Sequence, residues 1–81
     1  LMWKEGTIGI PQTDGKNRIN HFWVNIFEEP SEEDGLDSGR ISKLSLEFNG
    51  GWIVNYDRGW DIEPICKEAE DCLSILVKVY N

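Results

Sequence analysis

The chain is poor in nucleophilic and metal-ligating side chains: it has one histidine, His21, and two cysteines, Cys66 and Cys72. A zinc site commonly draws on several Cys or His ligands. Three such residues, two of them within one predicted helix, do not supply a set. His21 has no serine, cysteine or second histidine at a catalytic spacing, so a triad lacks both nucleophile and orienter. On a helix a separation of six places Cys66 and Cys72 about 120° apart and roughly 9 Å along the axis, beyond disulfide reach. Free thiols imply a reducing, cytoplasmic setting.

Long apolar runs are missing too. None approaches the roughly 20 residues of a membrane span, and Leu1-Met2-Trp3-Lys4-Glu5 has no signal-peptide pattern; Leu1, ahead of Met2, is expected to add nothing to the fold. Basic residues are scarce: eight against fifteen acids, for a formal charge of −7. That field repels phosphate polyanions and anionic lipid, which disfavours nucleic acid and membranes as partners. Gly6-Thr7-Ile8-Gly9 leads to Pro11 rather than to a helix, so it is no phosphate loop. Setting Gly35 at the sixth place of a calcium loop puts Pro30 at the first, and the ligand series fails. These gaps together point to a non-enzymatic chain with no cofactor and no metal.

What is present argues for a folded unit. The hydrophobic fraction is 40%, with four Trp, three Phe and two Tyr among 81 residues, enough for one core and one domain over 1–81. Trp3 to Ile10 suits a strand ending before a turn at Asp14-Gly15. Arg18 to Glu28 is dense in aromatic and β-branched residues and forms the strongest strand. Arg40 to Phe48 alternates with period two. Asn49-Gly50-Gly51 is tight-hairpin chemistry leading to a fourth strand, Trp52 to Tyr56. Glu63-Pro64 reads as a helix entrance, with a helix from Pro64 to Tyr80 burying Ile65, Ala69, Cys72, Leu73, Leu76, Val79 and Tyr80. The expected fold is α+β: a four-stranded antiparallel meander with one C-terminal helix on one face, in the order β-β-β-β-α.

One helix covers one face, so the other should be polar in a solvated monomer. The alternation says otherwise. In the second strand Phe22, Val24 and Ile26 oppose Ile19, Trp23 and Phe27. In the third, Ser42, Leu44, Leu46 and Phe48 oppose Ile41, Lys43, Ser45 and Glu47, and in the fourth Trp52, Val54 and Tyr56 oppose Ile53 and Asn55. At least one large aromatic is left on the uncovered face. Either the chain covers it with the first strand, the Leu36 loop or Trp60, or a partner does, a second copy included.

Trp23, Phe27 and Trp60 are therefore the aromatic candidates for a contact surface. Arg58 joins them within Tyr56-Asp57-Arg58-Gly59-Trp60-Asp61, a segment of typical hot-spot residue types. The structural alternative has Gly59 reversing the chain, Trp60 stapling the helix start and Arg58 pairing with Asp57 or Asp61. A second candidate is the acidic stretch of Glu28, Glu29, Glu32, Glu33, Asp34 and Asp37, a solvated loop that could also imitate nucleic acid toward an enzyme that binds it.

Met2-Trp3-Lys4-Glu5-Gly6, Phe27-Glu28-Glu29-Pro30-Ser31, Gly39-Arg40-Ile41-Ser42-Lys43-Leu44 and Asn55-Tyr56-Asp57-Arg58-Gly59-Trp60-Asp61-Ile62-Glu63-Pro64 resemble a family of small uncharacterised proteins of Gram-positive bacteria and their phages or prophages. The resemblance spans nearly the whole chain and brings no assigned activity or catalytic residue. It implies an accessory factor, such as an inhibitor of host defence or nucleic-acid enzymes. The expected function is that of a protein-interaction domain, with itself or another protein as partner.

Overall fold

A computed structural model describes residues 1–81. The chain runs β1 (Met2–Pro11), β2 (Asn17–Ile26), a 3-10 turn (Leu36–Ser38), β3 (Ile41–Phe48), β4 (Gly51–Asp57), β5 (Trp60–Ile62) and α1 (Lys67–Tyr80). The strands form one antiparallel sheet in the order β1-β2-β3-β4-β5. The expected meander with a C-terminal helix is present, with five strands rather than four.

The turns follow local chemistry. Asn49 and Gly50 both take positive φ, 51° and 78°, which matches the hairpin's twist to that of its strands. At the β1–β2 turn Gly15 has φ 83°, and the Lys16 amide donates to Asp14 Oδ1 at 2.9 Å. The β4–β5 turn departs from expectation: the left-handed residue is Arg58, φ 55°, and not Gly59. The short reversal leaves room for a fifth strand, so Trp60 to Ile62 pairs with β4 instead of leading into the helix.

Holding Ile62 in the sheet delays the helix. Cys66 is extended and serves as N-cap, so the helix starts at Lys67 and not at Pro64. Ile65 consequently stands 93% exposed. In the last turn Val77 and Tyr80 pack against the core while Val79 is 66% exposed. The buried stripe is Ala69, Cys72 and Leu76.

That stripe meets Phe22, Val24, Leu44, Leu46, Val54 and Tyr56, which form one core cluster with Ile26, Ile41 and Leu36. Gly6 lies opposite Phe22 in the register; a Cβ at Gly6 would come within 2.9 Å of the Phe22 ring, so the bare glycine lets the ring settle. Tyr80 approaches Phe22 from the helix at 6.1 Å between centroids. Burial at these positions is worth about 1.5–3 kcal/mol per large side chain.

Leu36 is 3% exposed and belongs to this core, so the acidic loop folds toward the helix side. A Cβ on Gly35 would collide with the Gly39 carbonyl, which restricts that position to glycine. Asn81 then ties loop, strand and helix together. Its amide N–H donates to Val77 O at the helix end; its Oδ1 accepts from the backbone N–H of Arg40 at 3.0 Å and Ile41 at 3.1 Å, and its Nδ2 donates to Leu36 O at 2.9 Å. Tyr56 supports the same loop by donating its hydroxyl to Asp34 O at 3.4 Å. Burial and the nearby Asp34 and Asp37 push the Tyr56 phenol up from its ordinary 10.0, so it remains a donor at neutral pH.

Both cysteines are free. Burial pushes the Cys72 thiol up from its ordinary 9.0, whereas Cys66 is only half-buried. No helix is long and apolar enough to cross a membrane.

Two outcomes follow from this packing. Asn81→Ala should lower unfolding free energy by about 1–3 kcal/mol, because three backbone groups lose their partner; urea denaturation of the variant against the parent measures this. Under native conditions near pH 8 a thiol reagent should label Cys66 readily and Cys72 only at the rate of unfolding, which mass spectrometry of labelled peptides resolves.

Candidate functional site

The site is the sheet face turned away from α1. Along β1 and β2 the register pairs Trp3 with Asn25, Glu5 with Trp23 and Thr7 with His21. On β3, Ser45 lies beside Trp23 and Glu47 beside His21. These residues alternate with the core positions and therefore share the uncovered side.

Two bulges redistribute residues that strict alternation assigns otherwise. Between Leu46 and Glu47 the β3–β4 register shifts, so that Leu46 pairs with Val54 but Glu47 pairs with Trp52. Ile53 is the extra residue, and it sends Trp52 to the uncovered face rather than into the core with Val54 and Tyr56. A second shift pairs Asn25 with Lys43 but Ile26 with Ile41, leaving Ser42 as the extra residue. Ile41 thereby enters the core, fully buried, instead of joining Lys43 and Ser45.

Trp3, Trp23 and Trp52 converge as a result on a shallow bowl over Ser45. Trp23 meets Trp52 edge-on at 5.4 Å between centroids, and the His21 ring lies flat against Trp23 at 4.1 Å with 16° between planes. His21 Nε2 donates to Glu5 Oε2 at 2.8 Å. This bond fixes the imidazole, and the imidazole backs the Trp23 ring. On the other side Ser45 Oγ donates to Asn55 Oδ1 at 2.8 Å, and Asn55 Nδ2 donates to Asp61 Oδ2 at 2.9 Å. The rings sit between two hydrogen-bonded rails.

Trp3 and Trp52 remain 59% and 55% exposed. Neither the Leu36 loop nor Trp60 covers them. Trp60 pairs with Tyr56 and packs edge-on against its ring at 5.2 Å, on the helix side. Trp52 also borders an apolar groove formed with Ile53, Ile62, Ile65 and Ala69, so the bowl continues around the β4 edge.

Of the contact residues expected from sequence, Trp23 lies at the centre of the bowl. Phe27 does not join it: β2 ends at Ile26, and beside Leu1 and Met2 the Phe27 N–H donates to Arg40 O while its carbonyl accepts from Arg40 Nε at 3.0 Å. Arg58 is exposed at its turn, its amide donates to Ser42 O at 3.0 Å, and it forms no ion pair with Asp57 or Asp61; Asp57 faces Lys43 at 3.9 Å instead. Glu28, Glu29, Glu32, Glu33 and Asp37 are exposed, while Asp34 is half-buried with its amide donating to Ser31 Oγ.

Trp3, Trp52 and Glu47 were not singled out by sequence. The alternation of Trp3, Glu5 and Thr7 against Gly6, Ile8 and Ile10 carries a signal for the first. Nothing local announces the Ile53 bulge that moves the second.

A profile for a domain of unknown function (DUF7678) matches residues 2–81. The chain belongs to that family. No curated protein and no solved structure matches this DUF7678 member, so its site is defined by its own geometry.

Because the rings are largely exposed, replacing Trp3 or Trp52 with serine should change unfolding free energy by less than about 1 kcal/mol, whereas Leu46→Ala in the core should cost about 2–5 kcal/mol. Chemical denaturation of the three variants tests whether the fold depends on the bowl.

Proposed function

We propose that this chain is a non-enzymatic protein-interaction domain whose contact surface is the uncovered sheet face centred on Trp23. One observation carries this reading: three of the four tryptophans gather around Ser45 on the side the helix leaves bare. Tryptophan is the residue most enriched at interface hot spots, and a contiguous exposed aromatic patch rimmed by polar residues marks an interaction site. The resemblance to small proteins of Gram-positive bacteria and their phages supports an accessory role for such a domain.

Self-association through this face is the narrower form of the proposal. It meets a cost, because Glu5, Glu47 and Asp57 share the face with only Lys43 as a permanent cation, and a two-fold contact sets like charges against each other. A second reading rests on the five exposed carboxylates of Glu28, Glu29, Glu32, Glu33 and Asp37, none of which is in an ion pair: they would act as a nucleic-acid mimic. Salt separates the two, since a charge-mimic complex weakens steeply with ionic strength and an aromatic contact does not.

Site-specific photocrosslinking tests the proposal. With a benzophenone amino acid at position 52, irradiation in extract of the source organism should give a discrete protein adduct that persists at raised ionic strength. Excess parent protein should block it and excess Trp3→Ser should not. The same probe at Ser74, exposed on the helix, should give none. An adduct of twice the chain mass identifies self-association; equal adducts from positions 52 and 74, or none from 52, would remove the face as the contact surface.

A further inference from the structure

The chemistry around the bowl selects its occupant. Four carboxylates border the face, Glu5, Glu47, Asp57 and, through Asn55, Asp61; its only full-time cation is Lys43. Three of them are engaged, Glu5 by His21, Asp57 by Lys43 and Asp61 by Asn55. Glu47 is not: it has neither a hydrogen bond nor an ion pair, although it is half-buried and lies in register with both His21 and Trp52.

The face thus combines electron-rich ring faces with an uncommitted carboxylate, while the chain as a whole carries a charge of −7. Each of these attracts a cationic donor and repels a phosphate. The bowl is shallow and its rings meet edge-on, which suits a flat cation that stacks on one ring and turns its N–H groups toward a carboxylate. A guanidinium does both, whereas an ammonium is a strongly hydrated point charge. Building on the protein-interaction reading above, we propose that the partner is a basic protein segment that seats an arginine side chain in the Trp3–Trp23–Trp52 bowl, paired with Glu47.

The four tryptophans give four indole N–H resonances in the 15N-labelled chain, and Trp60, packed on Tyr56 on the helix side, is an internal control. Titration with N-acetyl-arginine methylamide should shift the indole signals of Trp3, Trp23 and Trp52 saturably and leave Trp60 unmoved. N-acetyl-citrulline methylamide, the neutral isostere, should bind about 2- to 5-fold more weakly, the range of an exposed cation–π contact. Glu47→Gln should lower arginine affinity and narrow that difference to the part the rings alone supply, with the Trp60 signal reporting an intact fold.

Equal binding of arginine and citrulline amides to the parent protein overturns the arginine assignment, and so does movement of Trp60 alongside the other three. If oligothymidine shifts the three indoles and the arginine amide does not, the face stacks bases and the basic-segment proposal falls. A protein adduct from position 52 combined with equal arginine and citrulline binding would retain the contact surface while rejecting its basic occupant.

Discussion

A sheet has two faces, and this chain has one helix to cover them. The 14 residues of α1 span about 21 Å, enough to lie across one side of the sheet. Ala69, Cys72 and Leu76 supply the contact. Every apolar side chain on the other side must find cover within its own face or remain partly wet. The chain uses the first option where it can, stacking His21 on Trp23 and setting Trp23 against Trp52. Two rings still stand more than half exposed. These two, Trp3 and Trp52, lie side by side with Trp23 over Ser45 with nothing in the fold laid across them.

The charge distribution fits the same division. The acidic loop looks in sequence like a solvated run, yet its glycines and Leu36 make it a folded corner. Gly35 permits close passage of the Gly39 carbonyl, Leu36 enters the core, and Asn81 takes up the backbone groups of Leu36, Arg40 and Ile41. Carboxylates are kept outward on that corner, while those on the sheet face are nearly all held by partners. Glu47 alone is left uncommitted on that face.

Much of the fold was legible because it rests on local rules. Alternation in β3, the Asn49-Gly50 turn and the amphipathic helix each declare themselves within a few residues. The aromatic excess of β2 likewise announced an uncovered face and placed Trp23 on it. What was hidden depends on pairing between strands. Ser42, Ile53 and Asp61 each add one residue to a strand, and no single strand shows which residue will be extra. Strict alternation therefore assigns Ile41 and Trp52 to the wrong sides. Trp60 became a strand because Arg58, without glycine's freedom, nevertheless takes the left-handed turn; Phe27 left the site because β2 stops one residue before it.

The Ile53 bulge makes the composition of the bowl depend on strand pairing as much as on residue identity. Trp52 and Val54 are two residues apart, a spacing that regular alternation puts on one side, yet the bulge sets them on opposite sides; a strand lacking Ile53 would bring the tryptophan next to the valine and keep it on the open face by alternation alone. Among DUF7678 members, a tryptophan one or two residues before this valine can therefore serve the same surface, and spacing in β4 tells a surface ring from a core ring only when the bulge is counted with it.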